Sequence, residues 1–521
     1  MHLRSEALSS NWFGDLVDYN TSRLTATSTW NGKQMKKLKK INLLTFIIGI
    51  IALPVSANAE TLLEIYQQAL QSDPLIHEAE ARRLAALEAR PQARSAYLPQ
   101  ISLTGDYNMS ERSGPTLFQP TVSDPPVVAE QTSETDVFDW GLSLQQSIFR
   151  WDKIVNLRRA DKVVARAEAI REAAQQDLII RVATRYFEVL AAEDVLTAIH
   201  ADRTAIARSL EQAKQRFEVG LIAITDVQES QAAYDQSVAD EIGAKRSLAT
   251  AREFLREITG VYVTSLSAPK EDLPLRTPEP NSERDWVDLS LAQNLNLVAS
   301  RLDERIAHDD ISFQRTGHYP SLELTARTNE QDTDLDQSYS YLDPITGQPA
   351  SSSFSNSLDT ESEGVFLQFT LPLFAGGGTS SRVREAVYLH RASREQLQRV
   401  TRETERQARD AYLGVLSEIS RVQALKQAVA SSTTALEATQ AGFDVGTRTI
   451  VDVLDSQFTL YQAITNYERS RYLYIGNALR LKQAAGTLQV QDLEEIDRWL
   501  TERKTPEEKI REEEAAKAAG S

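Results

Sequence analysis

Asp452 and Asp455 are the residues of this chain best suited to chemistry. Three positions apart, they share one face of any helix that carries them. Such a pair gives that face a negative charge. Thr449, three residues before Asp452, opens a second reading: the spacing fits a capping box, in which the acid satisfies backbone N–H groups at a helix start. Spacing alone favours the cap. Arg448 beside them reads by itself as a solvated surface charge. Catalytic chemistry is poorly supplied. Cysteine is absent, which removes thiolate metal sites, cysteine nucleophiles, disulfides and a lipid-bearing N-terminal cysteine. The six His show no ligand spacing, so no metal is expected. Gly376-Gly377-Gly378 lacks the lysine of a phosphate loop and reads as a strand-to-helix turn. With no nucleophile elbow or cofactor fingerprint, neither an enzyme nor a cofactor is expected.

The elements that must position the pair are unusually long helices. Asp152 to Val219 contains neither Pro nor Gly, and Leu178, Val182, Tyr186, Val189, Glu193 and Leu196 step by three or four. This predicts a helix over about 152–219, roughly 100 Å long. It breaks at Gly220 and returns over about 226–258. A second pair, about 379–445 and 449–485, breaks at Gly446. Globular helices average about 11 residues, so these belong to a coiled coil or a helical tube.

The two pairs are copies. Leu98-Pro99-Gln100-Ile101-Ser102-Leu103-Thr104 returns as Tyr319-Pro320-Ser321-Leu322-Glu323-Leu324-Thr325, and Arg216-Phe217-Glu218-Val219-Gly220 as Gly442-Phe443-Asp444-Val445-Gly446. Such matches fall in one order at an offset of about 220 to 226 positions, which marks a tandem duplication. The first repeat spans 60–260 and the second 291–486, with a linker at 261–290 and a C-terminal segment at 487–521.

Each repeat opens with two segments of period two. Ile101, Leu103, Tyr107 and Met109 alternate with polar neighbours, and so do Trp140, Leu142 and Leu144; Leu322 and Leu324; and Val365, Leu367, Phe369, Leu371 and Leu373. The predicted strands are about 98–110, 137–149, 320–330 and 363–374, close to the length of a tilted membrane strand. Tyr97, Trp140, Phe149 and Phe374 near their ends suit an interfacial girdle, with core packing between strand and helix as the competing reading. The intervening stretches 111–135 and 331–362, rich in Ser, Thr, Pro, Asp and Gln, read as mobile loops. Four strands cannot close a barrel, and an open edge in lipid leaves backbone groups unpaired at several kcal/mol each. Several chains must therefore share one barrel; two would give eight strands and a filled lumen, three would give twelve, and a channel favours three.

Lys36-Lys37-Leu38-Lys39-Lys40, the apolar run Ile41 to Leu53 and Ala57-Asn58-Ala59 form a signal peptide over 35–59, with translation expected from Met35 and residues 1–34 as an extension. Removing residues 1–59 takes away seven Lys or Arg and three Asp or Glu, moving the formal net charge from -17 to -21. So acidic a body argues against nucleic acid as a ligand. Thr501 to Lys517, dense in Glu, Lys and Arg, reads as a solvated tail.

Over roughly 60–495 the chain resembles the TolC family of outer-membrane efflux and secretion channels. The motifs are Gly446-Thr447-Arg448-Thr449-Ile450-Val451-Asp452-Val453-Leu454-Asp455, Gln215-Arg216-Phe217, Ala223-Ile224-Thr225-Asp226-Val227 and Gly486-Thr487-Leu488. The resemblance implies a homotrimer in the outer membrane: a twelve-stranded β-barrel, four strands from each internally duplicated protomer, continued through the periplasm by a long α-helical barrel. It implies that the tips at Gly220 and Gly446 form a periplasmic gate, with Asp452 and Asp455 as a cation-selective ring. Arg448, with Thr225 and Asp226 as partners on the facing tip, would latch it. Phe443 departs from the family's usual tyrosine and removes one possible latch hydrogen bond. The implied partners are a periplasmic adaptor and an inner-membrane ABC or proton-coupled transporter. A structural periplasmic coiled coil, the competing reading, explains the helices and leaves the four alternating segments unexplained.

Overall fold

The computed structural model describes residues 59–270, 272–508 and 510–511. The expected extension and, as far as Asn58, the expected signal peptide lie outside them. Helices α1 (Leu62–Ser72), α2 (Pro74–Leu87) and α3 (Ala89–Ser95) lead into strands β1 (Gln100–Phe118) and β2 (Val127–Phe149) and the long helices α4 (Trp151–Glu218) and α5 (Ile224–Thr259). After a short strand β3 (Ala268–Pro269), the chain continues as α6 (Glu283–Gln293), α7 (Leu295–Arg315), β4 (Ser321–Leu342), β5 (Pro349–Thr370), α8 (Gly378–Asp444) and α9 (Ile450–Ala484). Helix α10 (Val490–Asp497) and strand β6 (Leu500–Thr501) come next.

The strands form one antiparallel sheet in the order β1-β2-β4-β5, so β1 and β5 each have one neighbour. Register places Ile101 beside Leu144, Leu144 beside Ala326 and Ala326 beside Val365, a continuous apolar row across all four strands. That face is bare in the protomer: Ile101 is 67% exposed, Leu103 70%, Val365 73% and Leu367 64%. The stretches expected to be mobile loops are instead paired. The ladders run out to Phe118↔Val127 and Leu342↔Pro349, leaving only short turns at the hairpin ends. Ser, Thr, Asp and Gln on both faces carry no apolar alternation, yet the ladder needs only backbone N–H and C=O groups. Ring stacking adds to it, Phe118 lying against Tyr339 with centroids 4.3 Å apart.

In the helical layer, α4 lies between α2 and α7 nearer the strands and between α5 and α9 toward its far end, while α8 packs on α7 and then on α9. Ion pairs staple α4 to α7: Arg159 to Asp310 at 2.9 Å, Arg166 to Asp303 at 2.6 Å, and Lys162 to Asp309. The main core sits midway along the helices, where Leu62, Ile65, Tyr66, Leu178, Val182, Tyr186, Leu255, Ile475 and Leu493 are buried together. Tyr186, fully buried, donates its hydroxyl proton to Ser267 O at 2.6 Å, within reach also of Glu60 O at 3.1 Å.

The C-terminal residues that read as a solvated tail dock on this core as far as they are described. β6 pairs with β3, Arg503 meets Asp194 at 2.6 Å, and Glu507 meets Arg252 at 2.8 Å. Arg252 also holds Glu193 at 3.0 Å, and Tyr472 donates to Asp194 at 2.5 Å. The charge density that suggested solvation is complementary to acids and arginines that α4 and α5 bury, which the tail sequence alone does not reveal.

Candidate functional site: the helix tips

Both long helix pairs turn by the same backbone device. At the end of α4, Gly220 N–H donates to Phe217 O and Leu221 N–H to Arg216 O, each at 2.9 Å; at the end of α8, Gly446 N–H donates to Phe443 O at 3.1 Å and Thr447 N–H to Gly442 O at 2.8 Å. This is the Schellman closure, and it requires the left-handed conformation that Gly220 (φ 76°) and Gly446 (φ 79°) adopt. The duplication is thus visible at the level of single hydrogen bonds.

The helices leaving the turns start differently. Ala223 before α5 offers no side-chain cap. Thr449 before α9 does: its Oγ1 accepts Asp452 N–H at 3.3 Å, while Asp452 Oδ2 accepts Thr449 N–H at 2.8 Å. Asp452 therefore caps its own helix, and those hydrogen bonds, from backbone and then hydroxyl, hold its carboxyl below the usual range, with Arg448 adding to the effect. Asp455 lies exposed one turn further on. Cap and carboxylate pair coexist on one face.

Arg448 Nη1 lies 3.9 Å from Asp452 Oδ1 on its own tip, and its stem lies over Gly442, where a Cβ would come within 2.8 Å of Arg448 Cγ. Within the chain Thr225 and Asp226 stay on the other tip, and among the described residues no ion pair joins them to Arg448. Phe443 is buried with Ile450 and Val453, fastening α8 to α9, whereas its counterpart Phe217 is largely exposed.

The contact that does cross between tips was not anticipated from sequence. Arg216 of α4 reaches Asp444 of α8 at 3.2 Å, and its guanidinium carbon sits 4.5 Å from the centre of the Phe443 ring. The available signal was the alignment of the copies, which sets Arg216 opposite Gly442: one position carries a reaching side chain, the other clears space. Behind the tips Gln457 of α9 donates to Asp202 of α4 at 3.0 Å, and burial raises the Asp202 carboxyl to about 6, against the lowering effect of that bond.

Two apposed helical hairpins under an open sheet with a bare apolar face suit a conduit, and the comparisons agree. The family model described as outer membrane efflux protein matches residues 65–261 and 286–487. The chain belongs to that family. Outer membrane protein TolC of Vibrio cholerae is 38% identical over 444 residues, 85% of this chain and 94% of that protein. Alkaline protease secretion protein AprF of Pseudomonas aeruginosa is 27% identical over 468 residues, 89% of this chain and 92% of that protein. In structure, the outer membrane protein VceC of Vibrio cholerae superposes with a TM-score of 0.63 at 20% identity, covering 82% of this chain and 96% of that one, a likeness of fold. As an outer membrane efflux protein, this chain is an outer-membrane channel for export.

Proposed function

We propose that three copies assemble into one channel-tunnel: a twelve-stranded barrel in the outer membrane and a helical tube in the periplasm, reached after cleavage of the signal peptide at 35–59. The observation that carries this is the open sheet. β1 and β5 present unpaired edges beside exposed Ile101, Leu103, Val365 and Leu367, and in lipid only a closed ladder satisfies such edges. A barrel of twelve strands leaves a lumen that an eight-stranded one would fill with side chains.

The tips form the periplasmic entrance. With α8 and α9 turned inward, Asp452 and Asp455 of three chains give a ring of carboxylates that draws cations and repels anions. Arg448 of one chain meets Thr225 and Asp226 of its neighbour, a polar latch whose charge-assisted hydrogen bonds release when the tips separate. A periplasmic adaptor engages the tips, and an inner-membrane ABC or proton-coupled transporter supplies energy, since the chain carries no nucleotide motif. Cargo is small toxic compounds or secreted proteins, the second class resting on the likeness to a protease secretion protein. The experiment is to measure the mass of the purified detergent-solubilised protein and its current in planar bilayers. A trimer with cation-selective current is expected; a water-soluble monomer leaves only a structural coiled coil.

A further inference from the structure

We propose that Arg216 is a tether that holds the second helix tip to the first within each chain and keeps the entrance shut, an inference that rests on the tips being the gate. One side chain makes two contacts of different kind: an ion pair to Asp444 at 3.2 Å and a guanidinium face 4.5 Å from the Phe443 ring centre. A planar guanidinium suits both, its face toward the ring and its N–H groups toward the carboxylate. Phe443 is itself 7% exposed, packed on Ile450 and Val453 at the start of α9, whereas the equivalent Phe217 of the first copy is 41% exposed. Arg216 therefore grips a residue already rigid with the α8–α9 hairpin, so a pull on Phe443 moves both helices.

The arrangement is one-sided. The position equivalent to Arg216 in the second copy is Gly442, which makes room for the stem of Arg448, so no matching arm reaches back. The first hairpin holds the second, and the second is the one that carries Asp452 and Asp455. Neither contact is deeply buried, Arg216 and Asp444 being 31% and 56% exposed as side chains, so each tether is weak and salt-sensitive. A weak bond suits a gate that must open, and every chain in the assembly contributes one in parallel.

The test is single-channel recording of the full-length mature protein in planar bilayers. R216E and D444R should each raise the open-state conductance or its occupancy several-fold. The charge swap R216D/D444R should return most of the closure, and R216K, which keeps the charge and loses the plane, should fall between. Raising salt toward 1 M should narrow the gap between wild type and R216E. R448A, acting on the separate latch between chains, serves as the control for the gate. If R448A opens the channel and R216E does not, the tether is overturned and the gate stands; if neither opens it, the tip gate and the tether fall together. If R216E opens it while the swap restores nothing, Arg216 acts through packing and the tether is likewise overturned. Should R216E fail to assemble, R216Q and R216K measured in the same way decide the matter.

Discussion

Asp452 and Thr449 hold each other from both ends: the threonine N–H and hydroxyl both donate to Asp452 Oδ2, at 2.8 and 2.9 Å, and the threonine hydroxyl accepts the aspartate N–H. The acid is committed to the helix start before any ion arrives. Asp455 carries no such commitment, so the two carboxylates of the proposed ring differ in kind.

Separate replacements should expose that difference. D455A should weaken cation selectivity and block by polyvalent cations while leaving the assembly's melting temperature unchanged. D452A should weaken both and also loosen the tip, seen as faster hydrogen exchange over 449–455. Because the Asp452 carboxyl is lowered, its capping contribution is full above the ordinary carboxylate range and is lost only as pH falls through its own depressed value. The selectivity that Asp452 still carries in D455A should therefore survive at mildly acidic pH.

Glu193 behaves in the opposite sense. Burial pushes it up from 4.5 to about 7, more than Arg252 and Arg503 pull it down. A raised carboxyl stabilises the fold below its unfolded value and withdraws that stability as pH rises through the folded one. Through this group the stability of the fold should decline between about pH 4.5 and about pH 7, and E193Q should flatten this slope. Chemical unfolding across that range is the measurement.

Arg252 sits between Glu193 and Glu507, at 3.0 and 2.8 Å. R252M leaves Glu193 buried without its main cation, and breaking a buried pair in this way costs about 3–5 kcal/mol. The double variant R252M/E193Q should recover a large part of that loss. A double-mutant cycle from chemical unfolding checks the coupling.

Glycines at three helix ends should respond unequally. All have positive φ, so alanine at Gly220 or Gly446 should cost about 1–2 kcal/mol for the left-handed backbone. At Gly486 a Cβ would also lie 2.3 Å from Gln293 O, a backbone atom with no freedom to rotate aside. G486A should cost about 4 kcal/mol or more, visible as failed assembly under conditions where G446A assembles normally.

How much of this was legible in the sequence depends on the kind of signal. The long helices, the glycine turns and the apolar strand faces announce themselves through period and punctuation, and the copies are similar enough to align Gly220 with Gly446. The outer parts of the hairpins are silent because Ser, Thr and Asp on both faces give a ladder no periodic mark. The docking of Arg503 and Glu507 is silent too, since its partners lie in distant parts of the chain, at Asp194 and Arg252. At the tips the helix-end chemistry of Thr449 and Asp452 is local and readable. The contact from Arg216 to Asp444 spans 228 positions and is not.

The exposed edges of β1 and β5 have a genetic consequence. In the assembly proposed above, a protomer that lends its edges to its neighbours has no membrane-competent life alone, so insertion and assembly are one event and a chain's defects are shared with every copy it joins. In a cell expressing two versions of this protein, a variant with intact edges and a jammed tip enters most assemblies and disables them. One whose edge strand carries a proline at a pairing position is simply left out. The first should behave as dominant and the second as recessive, and the sheet edge is what separates them.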